Sequence, residues 1–136
     1  MIISEHPELY WLTLSAIATG LMWVPHILQL MSQEGVVRAV YDPAREAPHD
    51  AKWAQRARRA HGNAIENLAI FAPLAILVAI SDSGTSFTAI AAAVFFFARL
   101  GHFVAYALAI PVIRVLLFCI GWACQMVLGL SLLGML

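Results

Sequence analysis

The chain has 136 residues, 62% of them apolar and 12% charged, and its eight basic and eight acidic residues cancel to zero net charge. A soluble domain carries about 25% charged residues, so this composition excludes one, and nothing in the charge balance suggests a nucleic-acid partner. About 20 apolar residues make one helical membrane span. The apolar runs here account for four spans and little else, which implies a single all-α membrane domain over residues 1–136.

The opening stretch, MIISEHPELY, has two acids and no Lys or Arg. It lacks the basic n-region of a cleaved signal peptide, so the first span is expected to be retained. Span one is predicted from about Leu9 to Met31, with a kink at Pro25. His26 and Gln29 near its far end read as a packing or interface pair, with a ligand contact as the alternative. Ser32 to Lys52 is a polar connection holding Gly35, Pro43 and Pro48, predicted as loop with a short surface helix.

The stretch from Trp53 to Phe71, WAQRARRAHGNAIENLAIF, organises the chain. It opens basic, turns apolar without a break, and is rich in good helix formers. It is predicted to begin span two, which runs to about Ile80. At about 100° per residue, Arg56, Arg59, Asn63, Glu66 and Asn67 share one face, whereas Arg58 and His61 point elsewhere. SDSGTS (81–86) is a turn. Span three is predicted from about Phe87 to Leu108, and span four from Pro111, a good first-turn residue, to the end. Cys119 and Cys124, five apart in an apolar run, form no metal or redox motif and read as small hydrophobes.

Six of the eight basic residues lie between Arg38 and Arg59. The positive-inside rule therefore places the first connection in the cytoplasm, with the 3–4 connection beside it and both termini outside the inner membrane. In that topology Arg59, Asn63 and Glu66 of span two lie at the cytoplasmic side. Arg99, His102 and Tyr106 of span three, spaced i, i+3, i+7, lie there too. So does Arg114 in the first turn of span four. The opposite side offers only Asp82. Ionisable residues at membrane depth mark function by default. Glu66 could pair with Arg99 across helices, but three arginines against one glutamate leave an excess of positive charge. An anionic ligand, lipid phosphate, or snorkelling into water would satisfy it. No nucleophile–His–acid set, carboxylate pair or Gly-rich phosphate loop is present, and no His spacing suits a metal. Guanidinium, amide, imidazole, phenol and one carboxylate suit a small molecule carrying carboxylates and an amine. A nearby arginine would also favour a thiolate.

RARRAHGNAIENLAIF resembles the R-x-x-R-A-H-x-N-x-x-E-N signature of the MAPEG family, membrane-associated proteins in eicosanoid and glutathione metabolism. ARLGHFVAYALAIPVIR is similar to the family's A-R-x-x-H-x-x-x-Y segment, followed by a short turn, a proline and an arginine. The resemblance covers all four spans and points to the small bacterial members rather than the eicosanoid synthases. It implies a four-helix membrane bundle assembled as a homotrimer, with glutathione as co-substrate bound between subunits near the cytoplasmic face. It implies Arg59, Asn63, Glu66, His102 and Tyr106 as glutathione contacts, and Arg114 as the residue that favours the thiolate. Arg56 and Arg99 match positions of structural or secondary role. Three features depart from the pattern. PHILQLMSQ in span one lacks an arginine found in several family enzymes, Asn67 stands where some members have tyrosine, and the Tyr106-to-Arg114 spacing varies among members.

The expected activity is glutathione transfer to a lipophilic electrophile, or reduction of a lipid hydroperoxide, with the second substrate entering from the bilayer and no metal required. One rival is a non-catalytic binding or scaffold protein of the same fold. Another is a small four-span transporter, against which stands the absence of any acid in span one between Glu8 and Glu34.

Overall fold

A computed structural model describes residues 5–41 and 49–136. Its elements are α1 (Pro7–Leu21), α2 (Trp23–Glu34), α3 (Val36–Tyr41), α4 (Lys52–Ile80), α5 (Ser86–Ala107) and α6 (Pro111–Leu132). There is no strand among the described residues. Four segments are long and apolar enough to cross a membrane: α1 with α2, then α4, α5 and α6. The all-helical four-span class expected from the sequence is the one observed.

Pro25 breaks span one as expected, and the break itself falls one turn earlier, at Met22. A proline ring clashes with the carbonyl four residues back, here that of Leu21. The chain answers by tightening at Met22, whose N–H bonds to Thr19 O at 3.2 Å, three residues back. The expected surface helix of the first connection is α3, which buries no residue. Pro43 and Pro48 lie outside the described residues. Pro73 sits inside α4 without ending it.

α4 and α5 form the centre of the bundle. Each packs against the other, against span one and against α6, whereas span one and α6 do not touch. The buried seam of α4 runs Ala57, Ala60, Ala64, Asn67, Phe71, Ala75 and Val78, in steps of three or four along one face. Small residues suit it, because helices in lipid associate through close packing rather than through water exclusion. Toward the 81–85 turn the seam becomes apolar. There Phe71 and Phe95 stack with centroids 3.8 Å apart and 6° between planes, beside Ala92, Cys124 and Leu128. Toward the first connection α4 offers alanines and Asn67, and Arg99 and His102 of α5 and Gln125 of α6 bring polar groups against them.

Two tight turns hold the spans in register. After α5, the N–H of Ile110 bonds to Ala105 O at 2.8 Å and that of Ala109 to Tyr106 O at 3.1 Å. This is a Schellman ending, with Ala109 at φ 60° where glycine is usual. It places the last turn of α5 beside the first turn of α6. At the other end Thr85 and Thr88 form a reciprocal cap on α5, and Thr88 Oγ1 contacts Glu8 Oε1 at 2.5 Å. Glu8 is buried and Glu5 shares a cleft with Asp82, so this end carries two acids besides Asp82, and Glu8 ties span one to span three.

Candidate functional site

The polar half of the seam is a chain of hydrogen bonds across three helices. Gln125 of α6 donates from Nε2 to Asn67 O at 3.0 Å and to Asn67 Oδ1 at 3.3 Å. Asn67 Nδ2 donates back along α4 to Asn63 O at 2.9 Å. Arg99 of α5 donates from Nη2 to Asn63 Oδ1 at 2.5 Å and approaches His102 Nδ1 at 3.3 Å. Arg99 is only 4% exposed, and its Nε and Nη1 have no hydrogen-bond partner among the described residues. It lies against Gly121, where an added Cβ would come within 3.2 Å of Arg99 Cδ. The helices approach this closely because α6 has no side chain there.

This arrangement stands where the sequence allowed a Glu66–Arg99 pair. The alanine seam turns Asn63 toward α5 and leaves Glu66 exposed on the flank of α4. Arg99 meets a neutral amide oxygen instead of a carboxylate, and no described acid forms an ion pair with it.

Four of the six predicted site residues come together. Asn63, His102, Tyr106 and Arg114 line one cleft of about 260 Å³, with Val115 and Phe118 as its apolar wall. The Schellman turn brings Arg114 back over Tyr106, its guanidinium carbon 5.1 Å from the ring centroid, within cation–π range. The His102 ring lies 5.6 Å from that of Tyr106. Arg56, just outside the cleft, donates from Nε to Ala107 O at 2.9 Å. A cation on the last carbonyls of α5 suits that helix end.

Arg59 does not join this group within one chain. It lines a second cleft of about 380 Å³ together with Arg58, His49 and Gln55, so Arg58 and Arg59 share a site that the helical stripe alone assigned to different faces. His49 anchors the end of the connection. Its Nδ1 lies 2.7 Å from Gln29 Oε1, an acceptor, so Nδ1 carries the proton. Gln55 Nε2 donates to His49 O at 2.6 Å. Burial first, and the Arg58 charge second, lower the His49 pKa below 6.5. His26 stands behind it, its ring 5.6 Å from His49 and 5.8 Å from His61. The packing reading of His26 and Gln29 thus describes what they do here. Among the described residues no group of His, Cys, Asp or Glu is arranged to hold a metal ion.

Gln125 and Arg99 were the residues whose weight the sequence reading missed. A lone glutamine in an otherwise apolar span was the available signal for the first. Arg99 was placed on the face of His102 and Tyr106 but weighed as structural or secondary only.

Fold and site together define a small helical membrane protein of four spans, with a buried polar layer opening at one end into a cleft of arginine, amide, imidazole and phenol. The model of the MAPEG family matches residues 9–134, and the chain belongs to that family. No curated protein and no solved structure matches it. Membership is consistent with a membrane protein of a glutathione-related transferase and peroxidase family.

Proposed function

We propose that the protein binds glutathione, or a closely related thiol, and uses its thiolate against a lipophilic substrate that arrives through the bilayer. The observation that carries this reading is the Asn63–His102–Tyr106–Arg114 cleft, lined among the described residues by one guanidinium and neutral polar groups and by no carboxylate. Such a cleft favours an anion. Arg114 stabilises the thiolate, and Asn63, His102 and Tyr106 position the tripeptide. With an electrophile, sulfur attacks carbon, an S–C bond forms and the leaving group departs with its electron pair. With a hydroperoxide, the thiolate attacks the terminal oxygen and the O–O bond breaks. The alkoxide takes a proton to become an alcohol, and the sulfenic acid condenses with a second thiol to give disulfide and water.

Arg59 and Glu66 enter the same site through a neighbouring copy. Glu66 is the midpoint of a 29-residue helix. If Ile80 marks one boundary, a hydrocarbon core of about 30 Å reaches back roughly 20 residues and leaves Glu66 about 9 Å inside it. An exposed carboxylate at that depth is costly against lipid. A homotrimer that covers it, with the first connection facing the cytoplasm, removes the cost and assembles all six residues. The test is conjugation of glutathione to a lipophilic aryl halide by purified protein. Turnover that falls in Arg114→Ala while the oligomer persists supports the assignment; a bound thiol that ionises at the same pH in both proteins refutes it.

A further inference from the structure

Arg99 does not line the cleft, yet it touches two residues that do. A guanidinium has five N–H donors and no acceptor, and it is not deprotonated in proteins. Whatever Arg99 Nη2 meets must therefore accept. Its two neighbours are Asn63 at 2.5 Å and His102 at 3.3 Å, and Nη2 has one hydrogen for each.

The consequences for both side chains are fixed. The Asn63 oxygen turns inward to Arg99, where Asn67 Nδ2 also approaches it at 3.4 Å. The amide nitrogen of Asn63 is what remains for the cleft. The Nδ1 atom of His102 must present a lone pair to Arg99, so the ring is neutral with its proton on Nε2. Nε2–H is then the group available to the cleft. Two residues that could each offer either a donor or an acceptor are thereby set as donors. With the Arg114 guanidinium they weight the cleft toward hydrogen-bond donors, and the Tyr106 hydroxyl adds a group that can give or accept. We propose that Arg99 is a positioning residue that sets the polarity of this cleft, making it selective for an anionic group over a neutral or cationic one of the same shape.

This inference deepens the glutathione reading and rests on it for the ligand's identity, but its core can be read without any ligand. The experiment is nitrogen NMR of histidine-labelled protein in nanodiscs, with the His102 signals assigned by their loss in His102→Gln. The wild type should show His102 neutral and protonated on Nε2. Arg99→Met should give a mixture of tautomers, and Arg99→Lys should fall between. A wild-type ring protonated on Nδ1, or a tautomer that Arg99→Met leaves unchanged, overturns the proposal.

Asn63→Asp supplies a second readout. An aspartate keeps a partner for Arg99 while removing the donor that faces the cleft. The polarity role predicts a folded protein whose glutathione affinity falls about 10- to 100-fold, as for one lost hydrogen bond to a charged group. Wild-type affinity in Asn63→Asp overturns it. If the wild type binds no glutathione at all, the glutathione reading fails, and the tautomer measurement still decides the role of Arg99.

Discussion

Replacing Arg114 by glutamine removes the one full positive charge that lines the cleft while keeping a polar side chain of similar reach. A thiolate held in the cleft would lie about 5 Å from the guanidinium. At an effective dielectric of about 20 their attraction is about 3 kcal/mol, which lowers a thiol pKa from about 8.5 to about 6. At pH 7 the unaided thiol is then about 3% ionised and the aided one about 90%, a ratio of roughly 30. Rate is a poor reporter of this ratio. Nucleophilicity falls with pKa at a Brønsted slope of about 0.4–0.5, which offsets roughly tenfold of the gain. The assay is therefore the ultraviolet absorbance of the bound thiolate, titrated from pH 5 to pH 10 in wild type and Arg114→Gln. The wild type should titrate two or more pH units below the variant, with the two curves converging above about pH 9.5. Coincident curves would refute the thiolate role of Arg114, whatever the turnover numbers.

Other outcomes follow from the packing. Phe71→Ala should destabilise the protein by about 3–4 kcal/mol in detergent unfolding: lipid removes most of the transfer term, leaving about 24 cal/mol per Å³ of cavity over roughly 100 Å³, plus the lost stacking with Phe95. A loss under about 1 kcal/mol would show that the stack is not a close-packed contact. Ala109→Gly should raise stability by about 1 kcal/mol, because φ 60° strains alanine and not glycine; a lowered melting temperature would contradict the Schellman geometry. His49 has a folded pKa below its unfolded 6.5, so the unfolded chain takes the proton first as pH falls. Its contribution is full above pH 6.5 and declines below it. The fall in melting temperature from pH 7.5 to 5.5 should therefore be smaller in His49→Gln than in the wild type, and equal falls would exclude the assignment. Glu66→Gln should bring the purified protein no closer to a monomer by light scattering, whereas Glu66→Leu, which suits lipid, should relax the need for the neighbouring copy.

The four spans were legible because lipid demands long apolar runs, and Pro111 and the 81–86 turn marked where they end. The cleft was legible in part because Asn63, His102, Tyr106 and Arg114 all sit at one end of their helices. The expected partner of Arg99 was not. A stripe at 100° per residue tells which side chains share a face, but not how that face is rotated in the bundle. The alanine seam from Ala57 to Ala75 sets the rotation, and it turns Asn63 inward and Glu66 outward. Arg58 joined Arg59 because the cleft they line is closed by His49, from a connection whose path the helical period does not describe. Glu8 was passed over because an acid near the chain start reads as solvated; Thr88, from the opposite end of span three, buries it. The kink expected of Pro25 lies at Met22, because a proline disturbs the turn before it.

Glutathione binding to the purified protein, measured by calorimetry for wild type, Arg59→Ala and Asn63→Ala, tests the account most directly. The account predicts saturable binding that both substitutions weaken, Asn63→Ala through the cleft of one chain and Arg59→Ala through the neighbouring copy. No binding at millimolar glutathione, or equal binding by all three proteins, would contradict it.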